Sequence, residues 1–179
     1  MALNRVQQLR PVIEPILREE RVPSELSAIV LVESGGQPNA LSSKGARGIW
    51  QFMPGTARRY GLMVTAQHDE RLNILKSTRA AARYLHDLHS QFGDWRLALA
   101  AYNAGGEVVQ RAIERNRTED FQELISRRSL PAETRKYVPA VIGATKMFAN
   151  ASGQFVPARY DGSTRIVYAD TQPITGGNR

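Results

Sequence analysis

The stretch SELSAIVLVESGGQPNALSSKGARGIWQF, residues 24–52, contains the position on which the interpretation of the whole sequence depends. Leu26, Ile29 and Val30 recur at helical spacing, and the next position on the same face is Glu33. Two glycines follow Ser34 and predict the end of the helix. A carboxylate on an apolar face loses water, which raises its pKa. From spacing alone, a glutamate that reaches back to solvent at the helix end is the better interpretation.

The apolar pattern is helical over most of the 179 residues and predicts an all-α fold. Residues 3–20 form one helical pattern, which Pro11 and Pro15 are expected to kink or divide. Ser24 is the expected cap of the next helix, which should run to about Ser34. Asp94, after a stop at Gly93, is expected to cap another. Further helices are predicted within residues 53–62, 72–92, 95–106, 106–116, 120–127 and 130–151. The buried face of the 72–92 helix is predicted to contain Leu75, Ala82, Leu85, Leu88 and Phe92.

Composition and length indicate one globular domain with a short appendage. Apolar residues make up 42% of the chain, which is enough for a proper core. We expect the domain to span residues 1–151. Residues 152–179 are expected to form an irregular, partly disordered C-terminal extension with one β-like run, RIVYA. No cysteine is present, so disulfides and thiolate metal sites are excluded.

The charge balance favours an anionic partner. The formal net charge is +7, and the basic residues form no tract or tail. Nucleic acid, acidic lipid and acidic cell-wall polymer all fit such a charge, and the absence of a basic tract disfavours nucleic acid. No segment approaches the roughly 20 apolar residues of a membrane helix. The first residues, MALNRVQQLRPVIEP, lack the apolar core of a signal peptide.

Common catalytic and metal-binding signatures are missing. The sequence has no GxSxG elbow, no phosphate-binding GxxxxGK[ST] loop and no HExxH motif. His86 and His89 are three residues apart on one helix, but no third ligand of matching spacing lies nearby. A solvated pair is therefore predicted, and neither a metal nor a cofactor is expected.

Aromatic and amide residues cluster in a way that suits sugar binding. Tyr102 and Asn103 come directly before a predicted helix end, which favours a functional role for both. Glu133 and Tyr137 are four residues apart and share a helix face, which fits a site or a solvent-facing pair equally well. Phe52 is interpreted as a core residue.

Four segments occur in a fixed order: ES at residues 33–34, SSKGARGIWQFMPGTA at 42–57, AYNAG at 101–105 and ETRKY at 133–137. Together, residues 22–148 resemble the soluble-lytic-transglycosylase-like (SLT) catalytic domain family, which has a lysozyme-like fold. The GIWQFMPGTARRYGL form looks most like the branch of membrane-bound lytic murein transglycosylase D.

The resemblance implies a role for each matching residue. It implies that Glu33 is the single catalytic acid and base, and that Ser42 contacts it. It also implies that Gly48 and Gln51 lie beside the substrate cleft and that Tyr102 lies near the catalytic carboxylate. The residues it assigns to substrate binding or support are Ser42, Gly48, Gln51, Tyr102, Asn103, Glu133 and Tyr137.

The reaction implied is cleavage of the β-1,4 bond between N-acetylmuramic acid and N-acetylglucosamine without water, giving 1,6-anhydromuramic products. No acidic residue lies between Ser34 and His68, which favours one carboxylate assisted by the substrate's acetamido group. The alternatives are a goose-type-like lysozyme that hydrolyses the same bond and an inactive wall-binding module. The resemblance further implies peptidoglycan as the partner, a location in the periplasm or cell envelope, and a monomer.

Overall fold

A helix that is apolar on nearly every side lies at the centre of the fold. This helix, α5, spans Trp95–Ala104, and its residues 97–101 (LALAA) are all buried. A helix of this kind is stable only when other elements surround it, and α4, α6 and α8 pack against it. The computed structural model describes residues 1–151, 158–160 and 166–168, with side chains up to Phe148.

Helices form most of the described part of the chain, as predicted. The α-helices are α1 (Ala2–Glu19), α2 (Ile29–Ser34), α3 (Pro54–Arg59), α4 (Ile74–Phe92), α5 (Trp95–Ala104), α6 (Gly106–Asn116), α7 (Phe121–Ser126) and α8 (Ala132–Ala151). Two 3₁₀ turns cover Ser24–Ala28 and Glu70–Leu72. Strands β1 (Ala158–Tyr160) and β2 (Ile166–Tyr168) pair antiparallel, and β2 falls within the run RIVYA. The packing and disorder predicted for the rest of residues 152–179 lie outside the described residues.

The first helix is more continuous than its prolines predict. α1 runs through Pro11 and Pro15 as one helix, so the prolines do not divide it, and the kink stays a prediction. Pro11 is exposed, so a carbonyl that loses its helical partner there can bond to water. Burial of Val6, Ile13 and Leu17 stabilises the segment on its other face.

Two local predictions are wrong: the helix cap at Ser24 and the burial of Leu75. Ser24 caps no helix with its side chain but begins the 3₁₀ turn that precedes α2. This turn packs against α1 and α8, which overrides the local helix signal. Leu75 is 59% exposed, so its assignment to the buried face of α4 is wrong. The remaining four predicted positions of that face are buried, and Asp94 caps α5 as expected.

No helix in the described ranges is both long and apolar enough to cross a membrane.

The two glycines after Glu33 allow α1 to pack against the end of α2. Gly36 has a φ of +74°, and a Cβ added there would lie 2.9 Å from Val6 Cγ2. The Gly35 carbonyl oxygen accepts a hydrogen bond of 3.0 Å from Arg5 Nε. The first turns of α1 therefore cover the turn that follows Glu33 and limit its movement.

We expect Gly36→Ala to lower the free energy of unfolding by about 2–4 kcal/mol, because the new methyl group meets Val6 and the backbone conformation becomes strained. Gly143→Ala is the matched control: it lies inside α8 and its Cβ would meet nothing within 4 Å. The control should change stability little or raise it by up to about 1 kcal/mol. Urea unfolding measures both values, and equal stability of the two variants would contradict the tight packing of α1 on this turn.

Candidate active site

Glu33 is the penultimate residue of α2 and comes just before the turn formed by Gly35 and Gly36. Gly35 and Gly36 donate their N–H groups to the carbonyl oxygens of Leu31 and Val30, which ends the helix in the left-handed conformation. Burial raises the pKa of Glu33 from 4.5 to about 7; a hydrogen bond partly opposes this rise, and a nearby negative charge adds to it. Glu33 is therefore a desolvated acid rather than the solvated helix end that spacing alone favours.

Two neutral tyrosines flank this acid. The Tyr137 hydroxyl of α8 donates a hydrogen bond of 2.7 Å to Glu33 Oε1. The Tyr102 hydroxyl of α5 donates one of 2.8 Å to the Trp50 carbonyl oxygen. Burial, followed by the charge of Glu33, raises the pKa of both phenols well above 10. Both side chains therefore stay protonated and act as hydrogen-bond donors.

The end of α5 and the start of α8 meet through polar side chains. Asn103 Nδ2 donates to Glu133 Oε1 at 3.4 Å, and Thr134 Oγ1 donates to Asn103 Oδ1 at 2.8 Å. Lys44 Nζ lies 3.9 Å from Glu133 Oε2, and both side chains are largely exposed. An exposed pair of this kind contributes little to stability, so a ligand can displace it at low cost.

The loop between α2 and α3, residues 35–53, contains three of the predicted site residues. Ser42 Oγ accepts a hydrogen bond of 2.9 Å from the Ala46 N–H, within the loop itself. Gln51 Nε2 donates to the carbonyl oxygens of Gly48 and Ala40 at 2.8 and 3.3 Å. Gln51 also has a φ of +51°, a strained conformation for a residue with a side chain. Among the described residues no hydrogen bond joins Ser42 to Glu33, so that contact stays a prediction.

Ser34 connects this loop to the end of α2, a role that motif spacing did not reveal. Its Oγ lies 3.1 Å from the Val30 carbonyl oxygen and 2.9 Å from that of Ile49, and it accepts a hydrogen bond from Gly36 N–H. The side chain next to Glu33 in sequence thus holds the neighbouring loop. The adjacency of glutamate and serine in the ES motif was the available signal. Trp50 is fully buried and donates to Thr78 Oγ1, so it is a core residue.

The structure brings part of the predicted site together directly. Tyr137 contacts Glu33, and the charge of Glu133 is close enough to raise the pKa of Glu33. A second carboxylate therefore reaches this region from the start of α8, although residues 34–68 contain none. Tyr102 is placed by its bond to the loop that also contains Gln51.

No group of three or more histidine, aspartate or glutamate side chains within the described ranges is arranged to hold a metal ion. His89 stacks on the Trp95 ring with centroids 4.0 Å apart, so the prediction of a solvated histidine pair is wrong for this residue. His86 is about half exposed, with Nδ1 3.7 Å from Asp87 Oδ1.

Comparison with known proteins identifies related sequences. The transglycosylase SLT domain family matches residues 10–125. Membrane-bound lytic murein transglycosylase D of Escherichia coli (strain K12) is 38% identical over 140 residues, which are 75% of this chain and 30% of that protein. The transglycosylase of Enterobacteria phage PRD1 is 36% identical over 83 residues, which are 46% of this chain and 29% of that protein. The chain thus spans less than a third of the length of these relatives.

Solved structures resemble the chain over most of its length. An inactive Glu-to-Gln mutant of the lytic transglycosylase Slt from Pseudomonas aeruginosa gives a TM-score of 0.71 at 28% identity, covering 90% of this chain and 26% of that one. The 70 kDa soluble lytic transglycosylase of Escherichia coli gives a TM-score of 0.70 at 24% identity, covering 80% of this chain and 24% of that one. These likenesses confirm the predicted lysozyme-like, all-α fold.

The raised pKa of Glu33 makes the stability of the fold depend on pH. The contribution of the protonated acid is fully present below about pH 4.5 and is lost as the pH rises through about 7. We therefore expect Glu33→Gln to exceed the wild type in stability by on the order of 1–3 kcal/mol near pH 8, and the difference to shrink below pH 4.5.

Urea unfolding of the wild type and the variant between about pH 4 and pH 8.5 measures this difference. Glu119→Gln, at an exposed position, is the matched control and should show no gain that grows with pH. A difference between Glu33→Gln and the wild type that stays constant over this range would contradict the raised pKa.

Proposed function

The chain belongs to the transglycosylase SLT domain family, and we propose that it is a peptidoglycan lytic transglycosylase with Glu33 as its catalytic acid and base. In this proposal it cleaves the β-1,4 bond between N-acetylmuramic acid and N-acetylglucosamine without consuming water. The observation that carries the proposal is the half-buried Glu33 carboxyl, with a pKa near 7 and a hydrogen bond from Tyr137. A pKa close to neutral suits a group that first donates and then accepts a proton.

The proposed reaction has two steps, each with one proton transfer at Glu33. In the first, Glu33 protonates the glycosidic oxygen, the C1–O bond breaks, and the carbonyl oxygen of the 2-acetamido group attacks C1 to form an oxazolinium ion. In the second, the Glu33 carboxylate takes the proton of the muramoyl 6-hydroxyl, whose oxygen attacks C1 and reopens the ring. The acetamido group and the protonated Glu33 are restored, and the product is a 1,6-anhydro sugar.

The surroundings of Glu33 support both steps. The Tyr137 hydroxyl bonds to the carboxylate that exists between the two proton transfers, and so limits the rise of its pKa. Asn103, Glu133 and Lys44 offer exposed donors and acceptors for sugar hydroxyls and amides. The net charge of +7 complements the lactyl and peptide carboxylates of peptidoglycan. This substrate, together with the relatives named as murein transglycosylases, favours a location in the cell envelope.

A hydrolase related to goose-type lysozyme is the second candidate. It requires a carboxylate or an ordered water opposite Glu33. The charge of Glu133 reaches Glu33, but its side chain is 73% exposed and bonded to Asn103 and Lys44. An inactive wall-binding module is the third candidate. The raised pKa of Glu33 disfavours it, because a binding module has no use for a desolvated acid.

Digestion of purified peptidoglycan distinguishes the three candidates. We expect anhydro-muropeptides, lighter by one water than reducing-end products, in the mass spectrum. Reducing-end products would identify a hydrolase, and binding without digestion would identify an inactive module. Glu33→Gln should lower the rate by on the order of 10³-fold or more, whereas Glu119→Gln should digest like the wild type. Wild-type activity of Glu33→Gln would overturn its assignment.

The hydrogen bond from Tyr137 predicts a shift of the pH profile. A general acid must be protonated, so kcat/KM should fall as the pH rises through the pKa of Glu33, near 7. Tyr137→Phe removes a bond that lowers this pKa, so the falling limb should move to higher pH. Tyr102→Phe removes a hydroxyl that bonds to the Trp50 carbonyl instead, and should leave the limb in place. An unmoved limb in Tyr137→Phe would exclude Glu33 as the titrating group.

A further inference from the structure

A buried ion pair lies beside the α2–α3 loop, outside the motifs that resemble the family. Arg71 is 6% exposed, and its Nε and Nη2 donate to the two carboxylate oxygens of Asp69 at 2.8 and 2.7 Å. The hydrogen bond from Arg71 is the main cause that lowers the pKa of Asp69 to about 2. Two parallel bonds of this kind fix the plane of the guanidinium.

The remaining guanidinium nitrogen reaches the loop. Arg71 Nη1 donates to the Gly45 carbonyl oxygen at 2.9 Å and to the Phe52 carbonyl oxygen at 3.0 Å. The same Phe52 oxygen accepts a bond of 3.1 Å from the Arg47 N–H, and Arg47 Nη1 lies 3.1 Å from Asp69 Oδ2. One charged group, oriented by Asp69, therefore connects two distant points of the loop.

The backbone of Arg71 also contacts the loop. A Cβ added to Gly48 would lie 2.0 Å from the Arg71 carbonyl oxygen, and Gly48 has a φ of +79°. No side chain fits into such a gap without movement of one backbone segment. Gly48, which the family resemblance assigns to the substrate cleft, thus has a packing reason: it lets the loop lie directly on the turn that contains Arg71.

The loop segment between Gly45 and Phe52 contacts the residue next to the candidate catalytic acid. Between Gly45 and Phe52 lie Gln51, a predicted substrate-binding residue, and Ile49, whose carbonyl oxygen is 2.9 Å from Ser34 Oγ. Ser34 is the neighbour of Glu33. A shift of this segment would therefore move Gln51 relative to the Glu33 carboxyl group.

We infer that Arg71 is a positioning residue of the active site: it holds the loop through the Gly45 and Phe52 carbonyl oxygens, and so sets the place of Gln51 relative to Glu33. The inference rests on the proposed function, since it assigns a role in that reaction. Displacement of a positioned group by about 1 Å can cost on the order of 10²-fold in rate, even when the altered residue lies away from the chemistry.

Arg71→Lys in the full chain is the test. Lysine keeps the positive charge, but one ammonium group cannot bond to both Asp69 oxygens and both loop carbonyls in this geometry. The matched control is Arg96→Lys, because Arg96 also pairs through its side chain with an aspartate two residues earlier, Asp94. Asp94 caps α5, just as Asp69 caps the 3₁₀ turn that contains Arg71.

Two measurements are made on each variant. Amide hydrogen exchange of residues 40–52 reports on the loop without any substrate. Steady-state kinetics on soluble, uncrosslinked peptidoglycan strands, at least about 15 °C below the melting temperature of each variant, report on the site. We expect Arg71→Lys to speed exchange in the loop and to lower kcat/KM by about 10-fold to 100-fold, and Arg96→Lys to stay within about 2-fold of the wild type in both.

The outcomes separate the claims. Unchanged exchange of residues 40–52 in Arg71→Lys would overturn the hold on the loop. Faster exchange with wild-type kcat and KM would overturn the positioning role, since a merely structural residue affects stability and not the kinetics of the folded protein. An inactive wild type would overturn the proposed function and the positioning role with it, while exchange would still decide whether Arg71 holds the loop. If Arg71→Lys does not fold, Asp69→Asn, which keeps the size and an acceptor, replaces it with the same expectations.

Discussion

The candidate site depends on one constraint: the Glu33 carboxyl group is largely, but not fully, removed from water and still receives a hydrogen bond. Burial alone would favour the protonated form strongly, and a carboxylate without a partner would be costly to form. The Tyr137 hydroxyl supplies the donor from a helix 104 residues further along the chain. Because burial and this hydrogen bond act in opposite directions, the pKa of Glu33 lies near 7 rather than at either extreme. The packing of α8 against α2 is thus part of the electrostatics of the site.

Polar groups collect in this protein where regular structure ends. Glu33 lies at the end of α2, Asn103 at the end of α5 and Glu133 at the start of α8. Helix ends and loops leave backbone groups without helical partners, and side chains must satisfy them. Carbonyl oxygens of the α2–α3 loop accept such bonds from the side chains of Ser34, Gln51 and Arg71. These side-chain bonds to its backbone therefore hold the loop in place.

Local sequence patterns predicted those features that depend only on interactions between residues close in sequence. The boundary between α4 and α5, with Gly93 as the stop and Asp94 as the cap, was predicted because caps and stops act within one turn. The features that these patterns left open or predicted wrongly have a common cause. Whether prolines divide α1, and whether Leu75 is buried, depends on which surfaces other helices cover. Spacing describes the face of a helix, but it does not say what lies opposite.

The sequence by itself determined the all-α class, the family and the identity of Glu33 as the residue to examine. Motif order and apolar periodicity are properties of the linear chain and do not depend on tertiary contacts. Only the tertiary structure decided that Glu33 is a desolvated acid, that Tyr137 is its hydrogen-bond partner and that Arg71 holds the neighbouring loop. The physical reason is that desolvation and hydrogen bonding depend on distances between atoms, and the groups concerned are tens of residues apart. Gly48 illustrates both contributions. The sequence motif pointed to this glycine, and the structure gives the reason for it: a Cβ at this position would lie 2.0 Å from the Arg71 carbonyl oxygen, so no other residue fits.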